Sequence, residues 1–292
     1  MNPETVVLTD ASAGSSAKVL VGFGFNCYSF SARAGGETVE TLWSAPGFET
    51  GKERPSHSGI PLLFPYPGRL RGKTLEWQGR SYPLDGDDGR GNAIHGFVLN
   101  RPWKVHERSA TRVVGEFHAS QVEPEILKKW PADFRLTVSY ELRGNTLASV
   151  IEIANPDNKP LPFGLGTHPY FRVPLGAAGT AGDCVVTVPA KEIWELSDMV
   201  PTGKRLPAEG RYNLAAGMKF ADAKFDDIPR SEHGQVKTIG GGPNKLPSAN
   251  VSAIGRVLFS DHLLAIELAG TLLLVATAGA IAIAGRREKP TT

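Results

Sequence analysis

Phe134-Arg-Leu-Thr-Val-Ser-Tyr-Glu-Leu142 alternates apolar and polar residues along almost its whole length. A period of two places Phe134, Leu136, Val138, Tyr140 and Leu142 on one face, as in a half-buried antiparallel strand. Arg143-Gly144-Asn145 follows, then a second β-prone run, Thr146–Ile153, so the pair reads as a hairpin. Working outward, short runs of this kind recur between turn residues from Val6 to about Val188. Lys18–Phe25, Val113–His118 and Cys184–Val188 are examples. Strong amphipathic helices are scarce; Glu123–Trp130 is the candidate for a short one. The pattern predicts an all-β fold, a large antiparallel sandwich with long decorated connections.

Composition agrees with a strand-and-turn body. The 292 residues include 33 Gly and 22 Pro, with 21% charged and 41% hydrophobic residues. A formal net charge of +2 and the lack of a basic cluster interleaved with aromatics argue against nucleic-acid binding. Cys27 and Cys184 lie far apart without CxxC or histidine spacing, so they read as small hydrophobes in a reducing compartment. Neither a disulfide nor a metal site is expected. The opening MNPETVVLTDASAG carries acids and no apolar core of a secretory signal, which makes the cytoplasm the expected address of the body.

Past Asp227 the texture changes. Pro229–Asn250 is polar and loop-like, and Leu263–Gly285 is an apolar run with one charge, Glu267. About 20 apolar residues suffice to cross a bilayer, and Arg286, Arg287 and Lys289 follow as a basic flank. The run therefore predicts a transmembrane helix with membrane contact through 263–285, a buried core helix being the alternative. The expected division is a β-sandwich over 1–233, a linker over 234–250 and an apolar helix within 251–292.

Four stretches bear on chemistry: Gly59–Gly72 (GIPLLFPYPGRLRG), Ile94-His95-Gly96-Phe97, Gly166-Thr167-His168-Pro169-Tyr170-Phe171 and Lys224-Phe225-Asp226-Asp227-Ile228. Together, in this order, across roughly residues 15–230, they resemble the aldose 1-epimerase (galactose mutarotase) family. The resemblance implies a mutarotase-like supersandwich that needs no metal and no cofactor. It also implies a hexose as partner, its α and β anomers interconverted by acid/base ring opening. His168 then falls at the general acid, and Arg69, His95 and Asp226 fall at positions that bind sugar hydroxyls. An imidazole suits the acid role because it changes charge near neutral pH. Trp43, Phe97 or Trp103 are candidates for an apolar surface under the sugar ring, a core role being equally open to them.

Two departures stand out. Gly68 occupies a place where the family usually has asparagine. The family's base, a glutamate in an E-P-x-T segment, has no counterpart: Glu232, Glu267 and Glu288 are the only glutamates after Asp227 and none fits. No base is assigned, and the sandwich reads as truncated with its turnover impaired. The last 40 or so residues, through IGRVLFSDHLLAIELAG and TLLLVATAGAIAIAGRR, resemble instead the final transmembrane helix of subunit J of the respiratory NADH:quinone oxidoreductase. Two other functions stay open on these grounds, a non-catalytic carbohydrate-binding domain and a membrane-arm fusion fragment.

Overall fold

The computed structural model describes residues 2–175, 179–222, 228–231, 238–240 and 264–265. The chain opens with four strands, β1 (Thr5–Asp10), β2 (Ser15–Leu20), β3 (Asn26–Ala34) and β4 (Glu37–Glu40), each antiparallel to the next. In β1, Val6 and Leu8 are buried and Val7 between them is exposed, the alternation of a sheet with one wet face. The run expected over Lys18–Phe25 stops at Leu20. Gly24 (φ 76) turns the chain there and approaches Leu99 so closely that a Cβ would lie 2.1 Å from its carbonyl oxygen.

The short strands β5 (Leu62–Leu63) and β6 (Arg69–Leu70) come next, followed by the hairpin of β7 (Thr74–Trp77) and β8 (Arg80–Pro83), then β9 (Ala93–Ile94). A second antiparallel meander follows: β10 (Lys104–Arg108), β11 (Arg112–His118), β12 (Arg135–Arg143) and β13 (Thr146–Asn155). The alternating residues named first, Phe134, Leu136, Val138, Tyr140 and Leu142, are all buried. Leu136 pairs with Ile153 and Val138 with Ile151 across the expected hairpin. Its two-residue loop starts with Gly144 at φ 60, a left-handed position that suits glycine.

β1 and β2 lie against β11 and β12, so the two meanders share one apolar core. Inside it the Phe25 ring stacks on Trp103 at 5.3 Å and on Tyr140 at 5.7 Å. Each such buried aromatic contributes about 1.5–3 kcal/mol relative to exposure. The hairpin loop also ties the sheets together at one end. Gly144 N–H donates to Asp10 Oδ2 at 3.0 Å, and Ser15 Oγ donates to Gly144 O at 2.6 Å. The short helix expected over Glu123–Trp130 is a 3-10 turn, Pro124–Lys128, preceded by one α-turn, Ala119–Val122.

The remaining described strands are β14 (Gly166–Thr167), β15 (Val185–Val186), β16 (Ala190–Ser197), β17 (Val200–Pro207), β18 (Met218–Lys219), β19 (Ile228–Ser231), β20 (Thr238–Gly240) and β21 (Leu264–Ala265). Three expectations need correction. The strand read over Cys184–Val188 shrinks to β15. The stretch read as loop, 229–250, contributes strand residues in β19 beside β16 and in β20, parallel to β13. Within the run read as a transmembrane helix, Leu264–Ala265 are strand, paired to the edge of β6 that β9 leaves open. The rest of 263–285, Glu267 included, lies outside the described residues. Among the described residues, no helix is long and apolar enough to cross a membrane.

Candidate active site

Residues 59–72 form the spine on which the site is assembled, because two later parts of the chain, 93–97 and 166–170, hydrogen-bond to this one segment. β14 pairs with β5, Thr167 opposite Leu62, and His168 N–H continues the ladder to Pro61 O at 3.1 Å. Tyr170 N–H reaches Gly59 O at 2.8 Å. On the other side β9 pairs with β6, Ile94 opposite Arg69, and His95 N–H donates to Gly68 O at 2.8 Å. Phe97 N–H donates to Phe64 O at 2.8 Å. Backbone register therefore brings residues 69, 95 and 168 together although nearly a hundred positions separate the first from the last.

Special backbone angles hold this arrangement. Gly96 sits at φ 71 with a Cβ position only 2.1 Å from Phe64 O, so only glycine fits. His95 itself is left-handed at φ 68, which costs roughly 1–2 kcal/mol in a non-glycine residue and is supplied by the surrounding ladder. Gly68 is also left-handed, at φ 75. Glycine and asparagine are the residues that adopt this conformation most readily, so the departure at this position leaves the backbone requirement intact.

Arg69 is fully buried, and its Nε donates to Asp88 Oδ2 at 2.7 Å. The same oxygen accepts from Asn92 Nδ2 at 2.9 Å. Asp88 Oδ1 accepts the N–H groups of Arg90 and Asn92 at 2.8 and 3.0 Å. Burial alone would raise the Asp88 pKa, but hydrogen bonds from Asn92, Arg90 and Arg69 outweigh it and hold the carboxyl well below the usual range. Asp88 is thus a fixed anion that orients the guanidinium, with little proton affinity left for base chemistry.

The two histidines meet edge to face, with ring centroids 5.9 Å apart, and both are almost wholly buried. Burial, then the nearby His168 and Arg69, push the His95 pKa well below its ordinary value, so this ring is neutral at neutral pH. Its Nδ1 is buried and has no hydrogen-bond partner among the described residues. From His168 a row of rings leads outward: Tyr170 at 5.0 Å, then His57 at 6.4 Å and Trp43 at 6.1 Å from Tyr170. Trp43 is 41% exposed. Phe97 and Trp103, the other candidates for a sugar platform, are instead core residues packed on Trp130 and Phe25.

The structure thus unites Arg69, His95 and His168. Asp226 lies outside the described residues. Sequence reading passed over Asp88, Asn92, His57 and Tyr170. Tyr170 stood in plain view two residues after His168. Asp88 and Asn92 sit in Asp85-Gly-Asp-Asp-Gly-Arg-Gly-Asn92, which reads as an ordinary polar turn. Among the described residues there is no group of three or more His, Cys, Asp or Glu side chains placed to hold a metal ion.

Comparison with known proteins follows the same outline. The sequence model of the aldose 1-epimerase family matches residues 7–230. The match stops short of 251–292, so the second resemblance gains no support from it. The uncharacterized protein YihR of Escherichia coli is 28% identical over 169 residues, 56% of this chain and 52% of its own length. Protein YphB of the same organism is 28% identical over 147 residues, 47% of this chain and 46% of its own. The chain spans about half the length of these curated relatives. Among solved structures, a GalM/aldose epimerase homologue from C. elegans superposes with TM-score 0.62 at 19% identity, covering 79% of this chain and 68% of that one. A galactose mutarotase-like protein from Clostridium acetobutylicum gives TM-score 0.61 at 24% identity over 72% of this chain and 67% of its own. At these identities the superpositions speak to the fold, which is mostly β and mutarotase-like.

Proposed function

This chain belongs to the aldose 1-epimerase family, and from that premise we propose that it interconverts the α and β anomers of a hexose with His168 as general acid. The observation that carries the reading is the buried imidazole pair beside Arg69, in which His95 Nδ1 has no hydrogen-bond partner among the described residues. A buried nitrogen of that kind calls for a ligand group, and a sugar hydroxyl supplies one.

In this scheme Arg69 and His95 hold ring hydroxyls, so that binding energy fixes the pyranose relative to His168. The His168 imidazolium gives its proton to the ring oxygen as the bond from that oxygen to the anomeric carbon breaks. The anomeric hydroxyl gives its proton to a base in the same event, and an aldehyde results. Rotation about the adjoining carbon–carbon bond presents the other face, and the proton transfers run backwards to close the ring. We assign no base. Asp226 retains its proposed place as a hydroxyl ligand, and Trp43 and Tyr170 offer apolar ring faces to the sugar's C–H groups.

Polarimetry of freshly dissolved α-D-glucose and α-D-galactose tests the reading. Acceleration over buffer is expected, and His168→Asn lowers it by about 100-fold or more, the usual share of a positioned acid. A variant as fast as wild type overturns the assignment of His168. Calorimetric binding of hexose with no acceleration at all would make this a sugar-binding module instead.

A further inference from the structure

Resting on the hexose-site reading, we propose that His57 is the base of the reaction, taking the proton of the anomeric hydroxyl while His168 protonates the ring oxygen. Two other proton acceptors gathered at the site are unsuited to that task. Asp88 is held as an anion by four hydrogen bonds and keeps little affinity for a proton. His95 is depressed in pKa by burial first, then by His168, Arg69 and His57, so it too is a weak acceptor. The influence of His57 on it puts the His57 ring within electrostatic range of the histidine pair. His57 is half-buried, at the outer side of Tyr170, where water can help it to take up charge.

The backbone fixes where His57 stands. Its N–H donates to Arg54 O at 3.1 Å. Ser58, next in the chain, is fully buried; its Oγ accepts the Ala45 N–H at 3.0 Å and its carbonyl accepts Asn26 Nδ2 at 2.9 Å. Gly59 follows at φ 62, where a Cβ would lie 2.4 Å from Asn26 Oδ1. Its carbonyl accepts the Tyr170 N–H, so the turn that sets His57 also docks the segment carrying His168.

His168 and His57 both pack against the Tyr170 ring, with centroids 5.0 and 6.4 Å from it. Laid end to end, those two steps put the imidazoles at most about 11 Å apart. An acid and a base bonded to the two oxygens of one anomeric carbon need roughly 8–10 Å between ring centroids, given ordinary hydrogen-bond lengths. The bond from the anomeric carbon to the ring oxygen breaks with its electron pair on oxygen, which takes the His168 proton. The O–H pair of the anomeric hydroxyl becomes the second bond of the aldehyde, and its proton passes to His57. After rotation His57 returns that proton to the carbonyl oxygen, while His168 recovers its own from the hydroxyl that closes the ring. No net proton is consumed. Both roles suit imidazoles, which change charge near neutral pH.

Polarimetry with α-D-glucose and α-D-galactose, joined to calorimetry of sugar binding, tests the assignment. His57→Gln keeps a hydrogen-bond acceptor but no useful proton affinity, so the rate should fall about 100-fold. Sugar affinity should change less than about fivefold, the worth of one hydrogen bond. In His57→Ala, free imidazole should restore the rate at least about tenfold, after subtraction of what imidazole does without protein. A His57→Gln rate within about threefold of wild type overturns the proposal and leaves His168 untouched. A loss of rate matched by an equal loss of affinity, or one that imidazole does not relieve, also overturns it, since His57 then only holds the sugar or its surroundings. If wild type itself gives no acceleration, it is the hexose reaction that fails, and the base with it.

Discussion

Asp88→Asn replaces a buried carboxylate by a neutral amide of the same size, and the hydrogen-bond pattern makes the cost calculable. Each Asp88 oxygen accepts two donors: Oδ2 from Arg69 and Asn92, Oδ1 from the N–H groups of Arg90 and Asn92. Whichever way the amide turns, its NH₂ faces two donors. The Arg69 Nε also loses its charged partner in a place without water. Removing one member of a buried pair costs about 3–5 kcal/mol, and the lower end applies here because Arg69 has further interactions. For a domain of this size about 3 kcal/mol corresponds to roughly 6–12 °C in Tm. The pH dependence has a definite sign. Because the Asp88 pKa is lower folded than unfolded, its contribution is complete above about pH 4 and fades as pH falls further. Wild type and variant should thus differ most near neutrality and converge in acid. Thermal unfolding at pH 7 measures the first quantity, and urea unfolding between pH 7 and about pH 3 the second. A Tm change below about 2 °C at pH 7, or a gap that stays constant into acid, would refute the claim that this carboxylate anchors Arg69.

Three further outcomes follow from the same geometry. Gly96→Ala, with its Cβ driven to 2.1 Å from Phe64 O, should cost about 3 kcal/mol or more; a melting temperature within about 2 °C of wild type would count against the close approach. Trp43→Ala removes a partly exposed ring, so Tm should stay within about 2 °C while hexose affinity drops roughly fivefold, given the worth of aromatic contacts. Unchanged affinity by calorimetry would take Trp43 out of the site. His95 is held neutral in the fold by burial and by its cationic neighbours, so the unfolded chain binds the proton more readily. Wild type should therefore lose stability as pH falls below about 6.5. His95→Asn, which keeps a residue suited to φ 68, should lose less over that range, and equal losses would dismiss His95 as the cause.

How much of this was legible beforehand depended on whether the signal was local. Alternation in 134–142 announced both strand and buried face, because β-structure repeats every two residues. The turn after Leu20 was hidden, since apolar residues continue to Phe25 and the reason for turning, contact with Leu99, lies far along the chain. Arg69, His95 and His168 were picked out through short motifs, and the ladders on residues 59–72 set the three side by side. Asp88 escaped notice because a carboxylate beside glycines looks solvated, and only three-dimensional packing reveals that its side chain is sealed from water. Phe97 and Trp103 went the other way: as aromatics they suited a sugar, but the core claimed them.

The dependence of the site on the 59–72 segment also sets an order of events during synthesis. The two meanders join strands that are neighbours in the chain, so each can form soon after its residues leave the ribosome. The site cannot. Residues 59–72 emerge early, but β5 waits about a hundred residues for β14, and His168 and Tyr170 arrive with that strand. A nascent chain halted near residue 160 would carry both meanders and Arg69 with His95, yet lack His168 and Tyr170. The histidine pair beside Arg69 is therefore completed only when one two-residue strand docks.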